Sequence, residues 1–144
     1  MEFELKPYVG ALPITFEMDA DAVKKCIGAP GKTQTIDGEL RESRPQKRSL
    51  SMPLHVDYSA AGKVVEIEFQ KGSVLTYKGT DLFKQRDLIR FLAADDRPKS
   101  FMGTIIFLNL GISTGPDEPR KTINVFAKGR FDPLLKKLVD YKPE

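Results

Sequence analysis

The chain has one cysteine, one histidine and no tryptophan among its 144 residues. The lone Cys26 excludes an internal disulfide, and one cysteine with one histidine cannot supply a Cys/His zinc site. With His55 as the single imidazole, any Cys-His or Ser-His-Asp chemistry has one place to start. Long apolar runs are missing too, since Ile105–Leu108 falls far short of the ~20 residues that span a membrane. Charge of one sign is scarce: 23 Lys+Arg against 20 Asp+Glu leave +3, too small a surplus to argue for nucleic acid. The phosphate patterns GxGxxG and GxxxxGK[ST], and GxSxG, HExxH, CxxC and a DxDxDG calcium loop, do not occur. No cofactor or metal is therefore expected. Met1–Pro7 carries acids and a proline where a secretory signal needs basic and then apolar residues, so the chain reads as cytosolic.

What is present suits one domain over residues 1–144. Hydrophobic residues make up 40% and charged residues 30%, enough to fill a core and too apolar for disorder. A short helix is marked at both ends, by Asp19 as cap and by Gly28 and Pro30 as stop, with Val23, Cys26 and Ile27 on its apolar face. Asp19 and Asp21 read as cap and dipole partners, and Cys26 as a small core residue. Residues 31–49 show no apolar period and are broken by Gly31, Gly38 and Pro45, which predicts one long basic loop.

Strands follow. Leu54, Val56 and Tyr58 alternate with His55 and Asp57, and after a turn Val65, Ile67 and Phe69 alternate with Glu66 and Glu68. The apolar set is expected on a buried face, with His55, Asp57, Glu66 and Glu68 together on the other. Val74–Tyr77 continues as a third strand, and a second helix near Lys84 buries Leu88, Ile89 and Leu92. Phe101–Leu108 reads as a strand covered on both faces, residues 115–119 as a hairpin tip and Thr122–Phe126 as the last strand. Asp132 and Pro133 open a C-terminal helix with Leu134, Leu135, Leu138 and Val139 as its stripe. The expected fold is α+β: mostly antiparallel sheet from two helix-then-three-strand units, plus that helix.

Residues Pro13 to Pro30, with Met18 before the helix, Val23 within it and the Gly28-Ala29-Pro30 stop, resemble a known signature. It is that of small outer-membrane-assembly lipoproteins and β-lactamase-inhibitor-like repeats, with Glu17 where a glycine commonly precedes the Met. Tyr77–Phe83 and Asn109–Ile112 add a likeness to small bacterial cytosolic proteins, some of them immunity partners encoded beside secreted toxins. That resemblance implies a helix-plus-meander fold, a cognate toxin domain as protein partner, and no catalysis.

Three functions compete on the residues. An immunity protein would occlude its toxin with the polar strand face of His55, Asp57, Glu66 and Glu68, or with Arg41 and Arg44 of the loop. A nucleic-acid binder would use the basic loop 41–48, which has no aromatic residue for stacking. An enzyme would use His55 with Asp57 or a nearby Glu, although the sequence places no nucleophile beside it.

Overall fold

The structure, a computed structural model, describes residues 2–46, 49–116 and 121–142. It is α+β, and among the described residues every pairing between named strands but one is antiparallel. In chain order the elements are β1 (Glu2–Lys6), β2 (Gly10–Leu12), β3 (Ile14–Thr15), α1 (Ala20–Ile27), β4 (Lys32–Ile36), β5 (Glu39–Gln46) and β6 (Ser49–Tyr58). Then come β7 (Val64–Gln70), β8 (Val74–Tyr77), β9 (Thr80–Asp81), a 3-10 turn Leu82–Lys84, and α2 (Leu88–Ala93). The chain ends in β10 (Lys99–Phe101), β11 (Thr104–Phe107), β12 (Ile112–Thr114), β13 (Thr122–Phe126), a 3-10 segment Asp132–Lys137 and β14 (Val139–Asp140).

Nine strands form the larger sheet, in the order β14-β10-β11-β12-β13-β7-β6-β5-β4; β3-β2-β1-β8-β9 form the smaller. Alternation in Glu2–Lys6 buries Phe3 and Leu5, which join one core cluster with Val56, Ile67, Phe69 and Val125 of the larger sheet. The Phe3 and Phe69 rings meet edge to face at 5.0 Å, which ties the two sheets together. The first helix is punctuated as expected. Asp19 accepts from the Ala22 N–H at 2.9 Å, and Gly28, at φ 92°, donates its N–H to Lys24.

Three two-residue turns set the hairpins. Asp37-Gly38, Lys78-Gly79 and Met102-Gly103 each place both residues at positive φ, the signature of a type I′ turn. The first of these overturns the expected long loop: residues 32–46 are a hairpin, not a coil. Its inward positions, Leu40, Glu42 and Arg44, are mostly charged, and this erased the apolar period.

Other expectations need correction. Val64, not Val65, is buried, because a register shift between Asp57 and Tyr58 opposes Tyr58 to Val64 and leaves Val65 as the extra, half-buried residue of a bulge. The third strand, β8, leaves the meander and pairs in parallel with β1. Phe101–Leu108 is split by the Met102-Gly103 turn, while Ile105, Ile106 and Phe107 are buried as expected. The C-terminal helix is a 3-10 segment with no buried residue, and Leu135 and Val139 are exposed. Cys26 is half-buried rather than enclosed. Part of the expected hairpin tip, residues 117–120, lies outside the described residues. Six strands lie between α1 and α2 and four between α2 and the 3-10 segment Asp132–Lys137, so equal three-strand units are not the arrangement.

Candidate functional site: the outer face of the larger sheet

Register brings the predicted residues together. His55 lies opposite Glu68, and Asp57 opposite Glu66. On the flanks, Ser43 faces His55, Arg41 faces Asp57, and Asn124 faces Glu68. Because side chains alternate across a strand, these residues share the face turned away from the core cluster. His55, Asp57, Glu66 and Glu68 thus sit on one face, as the alternation implied.

The face is neither bare nor uniformly acidic. Arg41 grips Asp57 with two bonds, Nε to Oδ1 at 2.8 Å and Nη2 to Oδ2 at 3.0 Å. Arg130, reaching in from the loop after β13, donates Nε to Glu66 at 3.0 Å and Nη1 to Glu39 at 2.7 Å. Asn124 donates to the second Glu66 oxygen at 2.5 Å. The expectation of exposed Glu66 and Glu68 is corrected: their side chains are 15% and 22% accessible, and Glu66 is held down by Arg130 and Asn124.

Glu68 is treated differently. It receives a bond from Gln70 at 2.8 Å and has His55 Nε2 at 3.6 Å, and among the described residues no Lys or Arg is bonded to it. On the other side of the ring, His55 Nδ1 is 2.8 Å from Ser43 Oγ. A serine, a histidine and a carboxylate therefore lie in one cross-strand row.

The guanidiniums leave clear electrostatic marks. The Arg41 pKa is raised by its hydrogen bond to Asp57. Burial works to lower that of Arg130, and the bonds to Glu39 and Glu66 outweigh it, so the net shift is upward. The Glu39 carboxyl is pushed below its ordinary range by the Arg130 bond. Between these groups lies a shallow pocket of about 170 Å³, lined by Ile36, Asp37, Glu39, Arg41, Asp57 and Arg130.

Arg44 does not join this face. Three residues from Arg41, it points to the core side, where it is 4% exposed. It donates Nη1 to Glu42 at 2.8 Å and Nε to the Gly28 carbonyl at 2.9 Å; Tyr58 donates to the same Glu42 oxygen at 2.5 Å. Its Nη2 has no partner among the described residues. Burial, then the bond to Glu42, drives the Tyr58 pKa upward. The expected basic loop is thus divided between two faces, and Lys47 and Arg48 lie outside the described residues.

Sequence reasoning missed Glu39, Ser43, Asn124 and Arg130 as members of the network. The Asp37-Gly38 turn would have revealed the first two, since it fixes Glu39, Arg41 and Ser43 on one face. Nothing local flags Arg130. Among the described residues no group of three or more His, Cys, Asp or Glu is placed to hold a metal, and no helix is long and apolar enough to cross a membrane. No family model, curated protein or solved structure matches this chain.

Proposed function

We propose that the chain is a cytosolic binding protein of the immunity type, which neutralises a cognate bacterial toxin by non-covalent occlusion. The observation that carries this reading is a bonded network on one sheet face with four carboxylates, Glu39, Asp57, Glu66 and Glu68, against two guanidiniums, Arg41 and Arg130. Paired side chains on strands are already ordered, so a partner would not have to immobilise them. The carboxylate surplus suits a basic toxin surface and speeds encounter. Glu68, with no Lys or Arg bonded to it among the described residues, is the group best left to meet a cation, with His55 beside it.

Nucleic acid gains no support from Arg41 and Arg44, because each already holds a carboxylate. The test of the main reading is to identify the toxin by co-purification from the native cell and then titrate it with Glu68→Lys. Loss of about tenfold or more in affinity is expected for a desolvated charge pair. Unchanged binding and unchanged protection would remove this face as the interface.

Hydrolysis through His55 has one observation in its favour, the Ser43–His55–Glu68 row. Against it, Ser43 and His55 are ladder residues in the sheet, where backbone N–H groups are committed to neighbouring strands, leaving no evident oxyanion donor. A serine-directed phosphonate probe separates the readings: labelling of Ser43 that disappears in His55→Ala would favour the enzyme.

A further inference from the structure

Sheet edges expose unpaired backbone, and proteins keep them short or covered. Three of the four edges here are two-residue strands, β3, β9 and β14. The fourth is β4. It presents five residues, Lys32–Ile36, all exposed, and no described strand pairs with its free side.

The Asp37-Gly38 turn decides which backbone groups face outward. A two-residue turn is closed by a hydrogen-bonded pair, here Ile36 with Glu39, and bonded pairs then recur at every second residue. Gln34 and Lys32 therefore direct their N–H and C=O groups to β5. Thr33 and Thr35 direct theirs to the open edge.

We propose that this edge pairs with β4 of a second copy of the chain, antiparallel, about a two-fold axis through Gln34. In that register Thr33 lies opposite the second copy's Thr35 and the reverse, so the outward N–H and C=O groups of both threonines are bonded in both chains. Gln34 meets its own counterpart at a non-bonded position, where side chains come closest. Lys32 falls opposite the second copy's Ile36, with Asp37 next along. The exposed Ile36 receives the lysine stem and Asp37 receives its ammonium, and symmetry repeats the contact at the other end. Centring the axis on Thr35 would bond one residue per chain and set Lys32 opposite Gly38 instead of Ile36. The self-complementary charge order favours a second copy over a strand from an unrelated protein. The surface used is the edge of β4, not the face assigned to the toxin, so either reading can fail alone.

Sedimentation velocity on the isolated protein, from about 5 to about 500 µM, reads the equilibrium directly. The wild-type chain is expected to dimerise within that range. Thr35→Pro removes an outward N–H and leaves the β4–β5 ladder intact, and is expected to give a monomer with unchanged circular dichroism. If that variant does not fold, charge decides. Lys32→Asp should raise the dissociation constant about tenfold, and Lys32→Asp with Asp37→Lys should restore it. Lysine is admissible in that turn, because Lys78 adopts φ 52° in the corresponding turn between β8 and β9. A wild-type monomer at the highest concentration overturns the proposal. So does a dimer that survives both Thr35→Pro and Lys32→Asp, or a double variant that fails to recover. A monomer whose edge instead captures a strand of the toxin, blocked by Thr35→Pro, overturns the second copy as occupant.

Discussion

Asp57 and Glu66 stand directly opposite each other across β6 and β7, yet each carboxylate has its own guanidinium. Arg41 takes Asp57 from the β5 side, and Arg130 takes Glu66 from beyond β13. Two like charges at a directly opposed pair would otherwise oppose strand pairing. The arrangement flanks the two adjacent carboxylates with a guanidinium on each side, and the stability of the face depends on both arginines.

Arg130→Met tests this dependence. Its loss leaves Glu66 and Glu39 without their cation while Asp57 remains opposite Glu66. A destabilisation of about 1–3 kcal/mol is expected by denaturant titration, the range for a partly buried carboxylate deprived of its partner. Adding Glu66→Gln should recover part of it, and a double-mutant cycle measures how much. Additive losses would show that the two groups do not interact.

Acid should weaken the fold through the same arginine. The Glu39 carboxyl is lowered in the folded chain by its bond from Arg130, as Asp140 is lowered by Lys99. A depressed folded pKa gives stability that is present above the unfolded value and lost as pH falls through the folded one. The decline should begin near about pH 5 and continue downward. Glu39→Gln should flatten that part of the stability–pH curve, and an unchanged slope would contradict the linkage.

At alkaline pH the responsible group is Tyr58. Its folded pKa is raised by burial and then by Glu42, so its contribution is full below the unfolded value near about pH 10 and lost as pH rises towards the folded one. Tyr58→Phe should remove this alkaline loss while costing about 1 kcal/mol at neutral pH, where the hydroxyl bonds Glu42. Thermal melts at pH 7 and above pH ~10 give both arms.

The backbone of Gly10 admits nothing larger. A Cβ there would stand 2.2 Å from the Ile14 carbonyl oxygen and 2.8 Å from the Thr15 Cα, both backbone atoms of β3. Gly10→Ala must push β2 and β3 apart, and a loss above about 2 kcal/mol is expected in denaturant titration. Gly38→Ala makes the comparison, since no atom lies within 4 Å of its Cβ position and only the positive φ is penalised. Equal costs would show that the close approach is relieved.

The sequence made the faces of β6 and β7 legible because Leu54, Val56, Tyr58, Ile67 and Phe69 alternate with polar residues, as a half-buried strand must. The first helix was legible because Asp19 and Gly28 mark both of its ends. The β4–β5 hairpin was obscured by Glu42 and Arg44, whose charges occupy inward positions by neutralising each other. The Asp37-Gly38 turn carried the signal that composition hid. Glu2–Lys6 has a clean alternation, but its pairing with β8 joins residues over seventy positions apart, which no local pattern reports. Arg130 was invisible for the same reason. The C-terminal stripe failed as a helix because Val139–Asp140 extends to pair with β10, which leaves Leu135 and Val139 exposed.

The inward pair Glu42–Arg44 makes the sharpest energetic prediction. Both side chains are buried, at 5% and 4%, against a face that otherwise carries Leu54, Val56 and Tyr58. Two charges removed from water recover that cost only through their mutual bond, the Gly28 carbonyl and the Tyr58 hydroxyl, and Arg44 Nη2 has no described partner. Arg44→Met leaves a buried carboxylate with a single phenolic donor, and Glu42→Leu leaves a buried guanidinium on one carbonyl. Each should cost about 3–5 kcal/mol. Glu42→Leu with Arg44→Met removes both charges and extends the apolar face, so its loss should be smaller than either single loss and within about 1–2 kcal/mol of the wild-type chain. Chemical denaturation of the three variants decides the matter. A double variant as unstable as the sum of the singles would mean that the pair contributes more to stability than apolar packing can replace.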